Sequence, residues 1–196
     1  SLIVAPFPGA IASGTIIPSS QTLVTSFGTA VAVPKGAPKP DISTPAAVRK
    51  ALLAAKSVGY EDPDFSTAGQ APTEAINKLG IADQIATKSV LCAGNTPYSA
   101  ASLCFDPGGG SVRSVDQWIA SGDVAIVMLY LSAMLPNKDK IDIVGVMPRE
   151  ICAPTAIVGF ISTHASDPAG AKALLQYLTS PDAQAIFKDA GFEPHH

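Results

Sequence analysis

Apolar positions recur along this chain in two rhythms. Short continuous runs read as buried strands: LIVA at 2–5, the AVAV core of GTAVAVPKG at 28–36, SVGY at 57–60, SVLC at 89–92, VAIVML at 124–129, IDIVGV at 141–146 and TAIVGFIS at 155–162. Between them the spacing turns helical. Ser43-Thr44-Pro45 opens a helix through Lys56 with Val48, Leu52 and Leu53 turned inward. A second helix follows the loop EDPDFSTAG and runs to Leu79, where Gly80 ends it. A third is predicted from Val112 to Ala120, behind Gly108-Gly109-Gly110. Two more close the chain, Pro168 to Leu178 and the run SPDAQAIFKDAGFEP. In that last run Ser180 caps, Pro181 takes the first helical position, and Ala183, Ile186, Phe187 and Ala190 form one apolar stripe. Gly191 stops it and Pro194 prevents a restart. Apolar strands alternating with amphipathic helices predict an α/β protein with mainly parallel sheet.

Composition narrows the classes. The 196 residues are 47% hydrophobic and 15% charged with a net charge of −3, which argues against disorder and gives no basic surface for nucleic acid. No apolar run reaches the roughly 20 residues that span a bilayer as a helix. No secretion signal opens the chain, so an exported form would be a mature or trimmed one. His195 and His196 read as the remnant of a purification tag. The three cysteines, Cys92, Cys104 and Cys152, fit no zinc or CxxC spacing. Cys92 and Cys104 flank a polar loop and either close it as a disulfide or stay as buried thiols; Cys152 reads as a small core residue.

In open α/β sheets, ligands sit beyond the carboxyl ends of strands, at helix N-termini. Two loops have that form. Phe65-Ser66-Thr67-Ala68-Gly69 lies between a strand and a helix, and Gly108-Gly109-Gly110-Ser111-Val112-Arg113 precedes the third predicted helix. Free amides, a partial positive charge and hydroxyl donors suit an anion, and Arg113 adds a fork matched to carboxylate or oxyanion. The plain alternative for each is an ordinary helix cap. No nucleotide, zinc-protease or serine-hydrolase motif is present. His164 reads as a solvated loop residue, Asp62 and Asp64 as turn formers around Pro63, and Trp118 as core. Tyr130 ends an apolar strand, where its hydroxyl either emerges at the ligand end of the sheet or packs in the core.

Several stretches together carry a resemblance: VAVPKGAPKPDIST, the Asp62-Pro63 loop with Ala68-Gly69 opening a helix that ends in KLG, a Val112-Arg113 helix, the buried strand into Tyr130, and SPDAQAIFKDAGFEP. The chain resembles the periplasmic substrate-binding proteins of ABC importers, in their molybdate-binding-protein-like (type II) branch, over essentially residues 1–194. The resemblance implies two α/β lobes closing on an anion. It implies a discontinuous first lobe, residues 1–40 plus 131–194, incomplete for want of the family's N-terminal elements, and a second lobe, residues 41–130. It implies that the terminal helix completes the first lobe. Backbone amides of Ala68, Gly69 and Val112 and the hydroxyl of Tyr130 are the implied ligand contacts, beside Ser66, Thr67, Ser111 and Arg113 from the two loops. The Cys92–Cys104 insertion and MPREIC resemble a broader branch that includes periplasmic isomerases of tricarboxylic acids, of the aconitate isomerase kind.

The function expected is capture of a small anion, a molybdate-like oxyanion or an organic carboxylate, for a membrane permease. The second expectation is an isomerase on the same scaffold, and the third an α/β domain whose ligand site is incomplete. No catalytic residue, cofactor or metal is expected, nor a nucleic-acid partner. The expected location is periplasmic or extracellular and the expected state monomeric.

Overall fold

The computed structural model describes residues 2–5, 14–64, 66–93, 103–105, 112–114, 121 and 124–194. Phe65, Gly108 to Ser111, Trp118 and the two terminal histidines lie outside the described residues. The chain divides into two compact units, one made of Ser1–Phe27 with Thr155–His196 and the other of Gly28–Pro154.

The first unit is built on a four-stranded antiparallel sheet in the order β1-β10-β2-β11, with β1 at Leu2–Ala5, β2 at Thr22–Phe27, β10 at Thr155–Ile161 and β11 at Phe192–Glu193. Val24, Ile157 and Ile161 of this sheet pack with Ala171 and Leu175 of the helix Pro168–Leu178. The final helix, Pro181–Asp189, starts as its sequence predicts, with Ser180 Oγ accepting from the Ala183 amide at 3.4 Å. It docks through only part of the expected stripe, Ala183 and Phe187, with Gln184 beside them. Ala183 and Gln184 are buried, whereas Ile186 is 62% exposed and Ala190 is exposed. Gln184 can turn inward because its Nε2 donates to two backbone carbonyls, Val24 O at 2.7 Å and Leu178 O at 2.8 Å. Gly191 (φ +85°) reverses the chain, and Phe192 and Glu193 then pair with Phe27 and Ser26. Phe192 stacks at 5.0 Å from Phe27 and 5.6 Å from Phe187.

The second unit holds a seven-stranded sheet in the order β7-β6-β5-β4-β8-β3-β9. Its strands are β3 (Thr29–Pro34), β4 (Val58–Glu61), β5 (Ser89–Ala93), β6 (Leu103–Phe105), β7 (Val112–Ser114), β8 (Ile126–Tyr130) and β9 (Ile141–Val146). Helices α1 (Pro45–Ala54), α2 (Thr67–Lys78) and α3 (Ala82–Ala86) cover one face. There Val31, Val33, Val58 and Met128 meet Val48, Leu52, Ala75, Ile76, Ile81 and Ile85. Fully burying side chains of this size is worth about 1.5–3 kcal/mol each. Ala30, Ala32, Val127 and Leu129 form a second core with Met134 and Ile141 on the other face. Thr44 caps α1 through its side chain, and Lys88 Nζ closes the far end by donating to Leu53 O at 2.7 Å and Ala55 O at 2.8 Å.

Three expectations change. Parallel pairing is confined to β4 with β5 and with β8; the other described pairings, including the whole first-unit sheet, are antiparallel, so the α/β fold is mixed rather than mainly parallel. Val112–Ser114 is not the start of a helix but strand β7, held by β6 with Arg113 opposite Cys104. Residues 28–40 and 131–154, read from sequence as first lobe, belong to the second unit, because β3 and β9 pair with each other and β3 with β8.

Candidate functional site

At the carboxyl end of β4 the chain turns through Glu61 to Ser66 into α2. Asp62 forms the expected turn: its Oδ1 accepts from the Asp64 amide at 2.9 Å and its carbonyl from the Ser66 amide at 3.0 Å. Ser66 caps α2, its Oγ accepting from the Ala68 amide at 3.1 Å, while the Ser66 carbonyl accepts from Gly69 and Gln70, each at 3.1 Å. The Ser66 hydroxyl donates to Glu61 Oε2. Glu61 is 8% exposed, so a buried carboxylate lies beside the positive end of α2. The amides of Ala68, Gly69 and Gln70 and the Ser66 proton thus all have partners within the chain. Gly69 lies against the backbone of Glu61 and Asp62, which pins the helix start to the end of β4. Thr67 is the first residue of α2.

Tyr130 ends β8. Since β8 runs parallel to β4 and antiparallel to β3, the ends of β4 and β8 and the start of β3 share one edge of the sheet. Tyr130 is 9% exposed and stands opposite Thr29 across the ladder. Leu131 N, the next amide, donates to Gly28 O at 2.9 Å. Thr29 is 2% exposed, and among the described residues its Oγ1 has no hydrogen-bond partner. Leaving a buried hydroxyl unpaired costs about 1–3 kcal/mol.

The structure therefore brings Ser66, Thr67, Ala68, Gly69 and Tyr130 to one edge of the second unit. Ser111 lies outside the described residues; Val112 and Arg113 are placed by backbone alone, in β7 at the far edge of the sheet. Glu61 and Thr29 were not singled out from the sequence. Glu61 is the one carboxylate in the strand VGYE, and Thr29 the one hydroxyl in TAVAVP. Cys92 is disulfide-bonded and pairs in register with Cys104, whereas Cys152 is a buried free thiol whose Sγ contacts Ala71 O at 3.7 Å. His164 sits in an exposed turn, as expected. Among the described residues no group of three His, Cys, Asp or Glu side chains is placed to hold a metal ion. A cavity of about 320 Å³ opens in the first unit between Ser20, Ile161, Lys172, Leu175 and Thr179, and none of the predicted residues lines it.

Known proteins resemble this chain in fold or in sequence. The solved molybdate-binding protein of Azotobacter vinelandii superposes with a TM-score of 0.66 at 17% identity, covering 100% of this chain and 78% of that one. A solved substrate-binding domain assigned to a molybdenum ABC transporter of Clostridium difficile gives a TM-score of 0.76 at 16% identity, covering 100% of this chain and 77% of that one. Aconitate isomerase from a Pseudomonas species is 30% identical over 184 residues, 94% of this chain. The chain spans 62% of that relative's length. The model of the bacterial extracellular solute-binding proteins matches residues 7–193, and the chain belongs to that family.

Proposed function

We propose that the chain captures a small anion, a molybdate-like oxyanion or an organic carboxylate, outside the cytoplasm and passes it as a monomer to the membrane permease of an ABC importer. The family match over residues 7–193 carries this reading. The shared edge formed by Tyr130, the start of α2 and the end of β4 supports it, since a strand-end hydroxyl and a helix N-terminus both favour negative charge. In this reading Tyr130 donates to a ligand oxygen. Ser66, Thr67, Ala68 and Gly69 act through the field of the α2 terminus. The test is a thermal-shift and calorimetry panel of molybdate, tungstate, sulfate, citrate and the aconitates. Stabilisation by one class of anion is expected, and its identity separates oxyanion from carboxylate. No response to any of them would overturn the reading.

A second reading is favoured by the 30% identity to aconitate isomerase, well above the identity to either structural neighbour. On it the chain moves a proton within an unsaturated tricarboxylate. Incubation with cis- or trans-aconitate, followed by proton NMR, decides: interconversion supports the enzyme, and binding without turnover supports the receptor.

A further inference from the structure

We propose that Thr29 is a ligand-contacting residue, its hydroxyl meeting an oxygen of the bound anion beside that of Tyr130. This rests on the anion-capture reading above.

Thr29 opens β3, whose next four residues are buried and apolar. Valine fills nearly the same volume, has equal or better strand propensity, and buries no hydroxyl. A threonine in a helix can satisfy itself on a carbonyl one turn back; a strand offers no such acceptor. The main chain of Thr29 is tied down, its carbonyl accepting from the Met147 amide at 2.9 Å, yet Oγ1 stays unpaired among the described residues. The hydroxyl thus works against stability at its own position.

Its placement supplies the reason to keep it. Strand alternation puts Thr29 on the same sheet face as Val31, Tyr130 and Met128, the face that α2 covers. It also stands at the edge where β4 and β8 end. Several donors at that edge are already engaged within the chain: the Ser66 hydroxyl with Glu61, the Ala68 amide with the Ser66 hydroxyl, and the amides of Gly69 and Gln70 with the Ser66 carbonyl. An incoming carboxylate or tetrahedral oxyanion is better met at Thr29, where a buried hydroxyl has a proton to give.

The test uses Thr29→Val, Thr29→Ala and Thr29→Ser in the full chain, titrated by calorimetry with molybdate, sulfate, citrate and trans-aconitate. Thr29→Val is expected to leave the ligand-free melting temperature unchanged or raised. It should raise the Kd of whichever anion binds the wild-type protein by about tenfold, as does Thr29→Ala, while Thr29→Ser stays within about threefold. Wild-type Kd values in both hydroxyl-free variants would remove Thr29 from the site and leave the anion reading standing. A wild-type protein that binds none of the four removes both.

Discussion

Gly69 packs so closely on Glu61 that no side chain fits between them. A Cβ built on Gly69 would lie 2.7 Å from the carbonyl carbons of Glu61 and Asp62, closer still to the Glu61 oxygen, and the obstacle is backbone rather than a side chain that can swing away. Gly69→Ala must push α2 off the end of β4. We expect a loss of about 2–3 kcal/mol, read as a lower urea midpoint, together with weaker anion binding.

The final helix is anchored by an amide, not by its most hydrophobic residue. Gln184→Leu strands the carbonyls of Val24 and Leu178 and should cost about 2 kcal/mol in urea unfolding. Ile186→Gln, on a residue 62% exposed, should change stability by less than about 0.5 kcal/mol. The opposite ranking would restore the Ile186 stripe expected from the sequence.

Cys92 is disulfide-bonded and sits in backbone register with Cys104, and a bridge between the two would close a loop of about a dozen residues. Dithiothreitol should lower the stability of the native protein by about 3 kcal/mol and have no effect on a Cys92→Ser, Cys104→Ser double variant. Equal stability with and without reductant would show that the bridge contributes nothing.

Asp142 ties β9 to the turn after β3. Its carboxylate accepts from the Gly36 amide at 2.8 Å and pairs with Lys35 Nζ at 3.2 Å. The Gly36 amide first, then Lys35 and the more distant Lys39 charge, hold its pKa below the ordinary 3.8. A carboxylate depressed in the folded state stabilises it above the unfolded pKa and loses that contribution as pH falls through the folded value. Urea midpoints should therefore hold from neutral pH to near 4 and fall below it, and Asp142→Asn should flatten part of that acid limb. Identical acid limbs in the two proteins would refute this role for Asp142.

The elements legible in the sequence are those whose signals are local. Thr44-Pro45 and Ser66 announce α1 and α2, and the apolar run of β3 announces a central strand. TLVTSF, which forms β2, gives no strand signal of its own because its polar residues alternate and its partners β10 and β11 come more than a hundred residues later. Val112–Ser114 reads as a helix start because a Gly-Ser run mimics a helix cap, while three residues are too few to show a strand period. At the site, Tyr130 is legible as a strand end. The Ser66–Glu61 bond depends on how the chain after β4 folds back on itself, and the unpaired Thr29 hydroxyl on what fails to approach it; neither leaves a trace in residue order.

The interleaving of β1-β10-β2-β11 has a consequence for biogenesis. The second unit has every one of its described strands once residue 154 has been synthesised. The first unit is begun earlier and finished later: β1 and β2 have their ladder partners only when β10 and β11 emerge. A growing chain thus carries β1 and β2 without the ladder partners they have in the folded protein. Any factor that guards it against aggregation before release should engage residues 2–27 and let go only when Phe192 and Glu193 have zipped onto β2.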